Sequence, residues 1–538
     1  MHHRLERALA VLAACALTVF PVTPAFADQN DFPTKTPIKH LVVIFQENVS
    51  FDHYFATYPF AKNPPGEPAF HAKPNTPTVN NLLPSALHTN NPNLNAANGT
   101  GASNPFRLDR SQAATTDQDH GYTDEQKAFH GGLMDLFPLL GTAGPPPNPP
   151  PGVVGTSGIV MGWFDGNTVT AMWNYAQHFA MSDNSWGTTF GPSTPGALNL
   201  ISGQTNGAVN VSADAASFAV VGDGNGGQTL IDDADPLGDV CSGTAVVQMT
   251  GKNIGDLLNS AGVTWGFFEG GFDLTAKNAN GTTGCGRSTK SAVTGVTKKD
   301  YIAHHQPFQY YASTANPTHV RPASTAEIGH NGAANHQYDI NDFFAAVKAG
   351  NLPAVSYLKA SGFQDGHAGY SDPLDEQTFL VNTINFLERT PEWNETAVVI
   401  AWDDSDGWYD HQMGPIINTS ATSADALNGQ GSCGDGTQAL PGVDPSTTHA
   451  QGRCGLGPRL PLNVISPFAR KNFVDETTTD QSSVLRFVED NWLGGERIQG
   501  SFDALAGTIE NMFRFDGPRA GRVFLDPSTG EVVDRDDD

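Results

Sequence analysis

Two apolar runs, far apart in the chain, each end abruptly in carboxylates. Leu41 to Phe45 is followed at once by Gln46, Glu47 and Asn48, and Ala397 to Trp402 by Asp403, Asp404, Ser405 and Asp406. Neither run alternates polar with apolar residues, so neither has a solvent face. A strand buried on both faces belongs in a parallel sheet covered by helices. Open sheets of that kind bind ligands at the carboxyl ends of their strands. Adjacent carboxylates repel each other unless a cation lies between them. The two strand ends together predict one metal site from Glu47, Asn48, Asp403 and Asp404. Oxygen donors suit one divalent cation of the calcium, magnesium or manganese class. Each piece alone also fits a polar strand-to-loop turn with a helix cap.

The rest of the chain alternates strands with helices. Helices are predicted over Asn253 to Ser260, Asp339 to Lys348, Asp375 to Arg389 and Ser482 to Asn491. Strands are predicted over Val263 to Glu269, Ala354 to Leu358 and Leu462 to Ile465. The pattern predicts an α/β fold with a large, mostly parallel sheet sandwiched between helices. Long irregular insertions interrupt it at about 56–105, 141–152 and 418–448, the second being the polyproline stretch GTAGPPPNPPPG. Candidate site residues lie on both sides of that stretch, so it reads as a surface connection within one domain, 28–538.

Arg4 and Arg7, the apolar run Ala8 to Phe20 and the A-x-A site Ala25-Phe26-Ala27 read as an export signal over residues 1–27. No later segment is long and apolar enough to span a membrane, so the protein is expected to be periplasmic or secreted. The formal charge is -27; removing Arg4, Arg7 and Glu6 takes away two positive charges and one negative, leaving -28. No basic stripe is present, which argues against a nucleic-acid partner. Of five cysteines, Cys15 goes with the signal, and four in an exported chain read as two disulfides. Three connectivities are possible. Cys241–Cys285 and Cys433–Cys454 are favoured, since each closes a Gly-rich local loop.

Gly191-Pro192-Ser193-Thr194-Pro195-Gly196 places a hydroxyl where a helix can begin. Such a serine caps the helix, or acts as a nucleophile aided by the helix dipole and free N–H groups. Histidines sit in Gly- and Asp-rich loops: His120, His304, His305, His367 and His411. A lone loop histidine is ordinarily solvated surface; several together point to some with a chemical role. No G-x-S-x-G elbow, Walker loop or H-E-x-x-H is present, so acyl-hydrolase, P-loop and zincin chemistries lack support.

The segments ENVSFDHYF, DQDHGYTDEQKAFHGGLMDLF, TTFGPSTPGALNLISGQ, HHQPFQYY, FQDGHAGYSDP and AWDDSDGWYDH resemble those of the bacterial phosphoesterase family. That family holds secreted or periplasmic acid phosphatases and non-haemolytic phospholipases C. The resemblance runs from about Pro37 to about Trp492 and implies an alkaline-phosphatase-like fold. It also implies that Glu47, Asn48, Asp403 and Asp404 hold a single metal ion. Ser193 would be the nucleophile and touch the metal. His120, His305 and His367 would contact phosphoryl oxygens or the leaving group, with His304 beside them. The serine in GPSTPG resembles the acid phosphatase branch; the phospholipase branch typically carries threonine there and further C-terminal domains. The expectation is therefore a metal-dependent acid phosphatase acting on small phosphate monoesters through a phosphoserine. The alternative is a phospholipase C cleaving phosphatidylcholine-type phosphodiesters. A non-catalytic binding protein on the same fold would tolerate loss of Ser193 or a ligand, and none is lost.

Overall fold

The run from His40 to Gln46 forms strand β1, buried at every position. It lies near the middle of an eight-stranded sheet with β2 (Ala180–Ser182), β3 (Trp265–Glu269), β4 (Gln337–Asp339), β5 (Val355–Lys359), β6 (Thr396–Trp402), β7 (Leu462–Ile465) and β8 (Phe473–Asp475). The order across the sheet is β4-β3-β5-β1-β6-β7-β2-β8. Seven strands run the same way and β7 runs against its neighbours. This computed structural model describes residues 32–83, 86–142, 153–434, 451–517 and 519–535. The export segment, residues 143–152 of the polyproline stretch and residues 435–450 of the third insertion lie outside the described residues.

Every residue of β1, β3, β5 and β6 is buried, so both faces of the sheet centre are covered, as apolar non-alternating strands require. The covering helices start where polar caps place them. Asp339 caps α6 (Ile340–Lys348) in a capping box with Asp342, and Asp372 caps α7 (Pro373–Glu388), whose first residue is proline. Apart from the single turns Phe137–Leu140 and Ala213–Ala216, the earlier helices in chain order are α1 (Phe51–Phe55), α2 (Tyr122–Phe129), α3 (Thr170–His178), α4 (Ser193–Ser202) and α5 (Ile254–Ala261), and α8 (Gln481–Trp492) is the last. The expected elements are all present, with ends shifted by at most two residues. One shift matters: β5 runs through Lys359, one residue beyond its expected end.

The register brings the predicted strand ends together. Ile44 pairs with Leu358 on one side and Ile400 on the other, and Gln46 pairs with Trp402. Glu47, Lys359 and Asp403 therefore emerge side by side. The first insertion is mostly turns with a short 3-10 segment, Ala96–Gly101. Both favoured disulfides form, Cys241–Cys285 and Cys433–Cys454. Among the described residues, no helix is long and apolar enough to cross a membrane.

Candidate active site

Beyond β1 the chain turns sharply at Asn48, whose φ of 49° lies in the left-handed region, which asparagine tolerates better than most residues. The turn aims Glu47 and Asn48 into one space. Asn48 N donates to Asp403 Oδ1 at 3.3 Å. Ser193 Oγ lies 2.9 Å from Glu47 Oε2, 3.1 Å from Asp404 Oδ2 and 3.4 Å from Asn48 Oδ1. The edge of the Asn48 amide facing this cluster lies 2.7 Å from Glu47 Oε2, 2.9 Å from Asp403 Oδ1 and 3.2 Å from Asp404 Oδ2. A nitrogen on that edge faces the three as a donor, with two hydrogens to share among them; an oxygen there requires a cation among them. All five residues are at most 2% exposed.

The electrostatics favour a cation. Burial, with the charge of Glu47 adding to it, pushes Asp404 up to about 7 and Asp403 well above the usual carboxylate range. Burial also opposes the charge on Glu47, but His305 and Lys359 hold its pKa well below the ordinary value. Three carboxylates, an amide and a hydroxyl form a hard oxygen donor set that fits a divalent ion. Other groups of residues able to hold a metal ion are His120, His367 and Asp406; Asp52, Asp410 and His411; and Asp239, Cys241 and His319. In the last, Cys241 is committed to its disulfide. Arg459 ion-pairs both carboxylates of the second.

Ser193 is not the helix cap. Pro192 takes the cap position in extended conformation and Ser193 is the first residue of α4. Pro192 offers no side-chain cap bond, and the Ser193 hydroxyl faces the carboxylate cluster. Gly196 permits the approach: a Cβ there would fall 2.1 Å from Asp403 O.

Three of the four proposed histidines surround the cluster. His120 Nδ1 lies 3.0 Å from Gln118 O and 3.3 Å from Asp406 Oδ1, and its Nε2 is 3.4 Å from the Asn48 amide. His367 Nε2 is 3.1 Å from the same amide's outer edge. The two rings meet edge to face at 5.7 Å. His305 Nδ1 is 3.3 Å from Glu47 Oε1. Burial disfavours charge on all three. It prevails at His305 and His367, whose pKa values fall. At His120 the carboxylates of Asp404, Asp406, Asp117 and Asp233 outweigh it and raise the pKa well above 6.5. His304 turns away: its Nδ1 is 3.2 Å from Asp235 Oδ1 and its Nε2 4.0 Å from Asp233 Oδ2. Asp233 in turn accepts from Thr194 N at the start of α4, so His304 stands on the rim.

Sequence reasoning missed three buried residues. Lys359 Nζ donates to Glu47 Oε1 and lies 3.3 Å from Asp403 Oδ2. Glu125 Oε2 accepts from Gly191 N at 2.9 Å while Oε1 accepts from Ser405 Oγ at 2.7 Å, tying the loop before Ser193 to the loop after Asp404. Asp406, with φ 52°, places its carboxylate beside His120. Its signal was visible: it belongs to the same acidic run as Asp403 and Asp404.

The site of this α/β fold is thus a buried serine at a helix start, set against carboxylates at the ends of two parallel strands and flanked by histidines. The chain belongs to the Phosphoesterase family, whose model matches residues 38–493. It is similar to the non-hemolytic phospholipase C of Pseudomonas aeruginosa, 24% identical over 496 residues, or 89% of this chain and 58% of the relative. It is similar also to phospholipase C A of Mycobacterium tuberculosis, at 23% over 90% of this chain and 78% of the relative. A third relative, the non-hemolytic phospholipase C of Burkholderia pseudomallei, is 23% identical over 98% of this chain and 66% of the relative. The chain thus spans little more than half of the Pseudomonas protein.

Proposed function

We propose that this protein is a metal-dependent phosphoesterase of phospholipase C type that cleaves phospholipid phosphodiesters through a phosphoserine. The observation that carries the hydrolytic reading is the contact of Ser193 Oγ with Glu47 and Asp404. The names of the relatives shift the substrate from the small monoester expected from the serine in GPSTPG to the phosphodiester. Export, inferred from residues 1–27 and consistent with two disulfides, belongs to the same proposal.

Glu47, Asn48, Asp403, Asp404 and Ser193 would hold one divalent cation. Such an ion would lower the pKa of the serine hydroxyl and stabilise charge on the phosphoryl oxygens. Ser193 Oγ, its proton lost to solvent, then attacks phosphorus in line with the leaving alkoxide and departs again as the serine alkoxide when water enters. His120, held protonated by its carboxylate neighbours, donates a proton to that alkoxide. His367 and His305 line the pocket, with His367 Nδ1 held on Ala368 O at 2.6 Å and His305 Nδ1 held against Glu47 Oε1 at 3.3 Å. Water hydrolyses the phosphoserine from the same side, with His120 taking its proton.

A matched pair of chromogenic substrates tests the reading: a nitrophenyl phosphocholine diester against the nitrophenyl phosphate monoester. The diester should give the higher kcat/KM, and Ser193→Ala should abolish turnover of both. Turnover confined to the monoester would restore the acid phosphatase reading.

A further inference from the structure

The buried lysine at the end of β5 occupies the back of the carboxylate cluster. The front oxygens, Glu47 Oε2 and Asp403 Oδ1, face Ser193 and Asn48. The back oxygens, Glu47 Oε1 and Asp403 Oδ2, face Lys359 Nζ. Two further groups converge on that back side: His305 Nδ1 is 3.3 Å from Glu47 Oε1 and 4.0 Å from Asp365 Oδ2. Two carboxylates, an imidazole and a third carboxylate make a donor set of the kind that holds zinc or manganese. The lysine is 1% exposed, and its Nζ lies 5.3 Å from the centre of the Phe45 ring. The register opposite β1 holds it there, since Leu358 pairs with Ile44.

We propose that the Lys359 ammonium is a built-in cation standing where a second metal would bind, and that it restricts this site to one divalent ion. The inference rests on the proposed one-metal site. A second ion on the back oxygens would share Glu47 and Asp403 with the first; a fixed ammonium supplies positive charge there without adding a coordination site. The chain therefore positions Glu47 and Asp403 through a side chain that no chelator removes.

The test is metal stoichiometry on the whole chain, by elemental analysis and by calorimetric titration with manganese. Wild type should bind one ion and Asp404→Asn none. Lys359→Ala should bind two, and methylammonium should compete with the second. Wild type binding two ions, or Lys359→Ala remaining at one, overturns the inference. If Lys359→Ala melts below the assay temperature, manganese or methylammonium should restore its melting; no restoration by either also overturns it. A wild type that binds no ion would instead refute the one-metal site, a separate failure.

Discussion

Gly196 is the point where the nucleophile and the metal-binding strand end touch. A Cβ built on it falls 2.1 Å from Asp403 O, 2.7 Å from Asp403 C and 2.9 Å from Asp403 Cα, whereas real Cβ contacts stay above 3.0 Å. Both partners are backbone, so neither can swing aside. Gly196→Ala must push α4 and the end of β6 apart by about 1 Å, the shortfall between 2.1 and 3.0 Å. Ser193 rides on that helix, and Asp403 and Asp404 on that strand end, so the displacement falls between Ser193 Oγ and the groups that activate it. A misplacement of about 1 Å costs roughly 10²-fold in rate, or about 2.7 kcal/mol of transition-state stabilisation. Overpacking adds about 1–3 kcal/mol of lost stability. The assay is kcat with the chromogenic diester, alongside melting temperature and metal content. Gly222→Ala is the control, because a Cβ at Gly222 meets nothing within 4 Å and its φ is ordinary. A Gly196→Ala enzyme with kcat within threefold of wild type would refute the reasoning, since the close approach would then not set the nucleophile.

Ser193→Ala should lose at least about 10³-fold in kcat, yet melt like wild type; acid quench of wild type with labelled substrate should leave phosphate on the peptide containing Ser193. Asp404→Ala should lose bound cation, and chelation should lower the wild-type melting temperature without affecting the variant. Glu376 is buried, accepts from Tyr54 Oη at 2.6 Å and Trp402 Nε1 at 3.1 Å, and has its pKa pushed by burial up to about 8. An unfolded glutamate titrates near about 4.3, so between the two values the native state holds a proton the unfolded chain has lost. Stability should then fall with rising pH across that window by up to about 1.4 kcal/mol per unit. Glu376→Gln should remove this slope in denaturant titrations at pH 5, 7 and 9. Replacing Cys433 and Cys454 by serine should cost about 3 kcal/mol of stability by chain entropy for their 21-residue separation, and denaturation with and without reductant checks it.

Strands β1 and β6 were legible because burial on both faces leaves an uninterrupted apolar run, and because the run stops where the polar residues begin. The same signal was present at β5, where Ala354-Val-Ser-Tyr-Leu precedes Lys359. Ending the strand at Leu358 discarded it, and with it the lysine. A cation at a strand end reads as a solvated terminus unless the carboxylates that bury it are already known. Ser193 stayed ambiguous for a similar reason. Whether a hydroxyl caps a helix depends on the backbone of one residue, and here Pro192 takes the cap position. His304 and His305 are neighbours in sequence, yet the short 3-10 turn Ala303–His305 sends them to different carboxylates, His305 to Glu47 and His304 to Asp235.

What holds the loops in register was not legible, because those bonds join elements distant in sequence. Gln481, at the start of α8, donates to Asp403 O at 2.5 Å and accepts from Thr188 N at 2.7 Å. Glu125 joins Gly191 to Ser405, and Trp402 Nε1 donates to Glu376. Each of these side chains sits on an ordinary helix or strand, where a polar residue signals only an exposed face. Their burial makes the difference, since an unmade bond to a buried polar partner costs about 1–3 kcal/mol. The loops before Ser193 and after β6 therefore have few alternative placements. Asn48 is held in its left-handed turn in the same way: its N–H donates to Asp403 Oδ1, and Asp403 is itself fixed by Gln481.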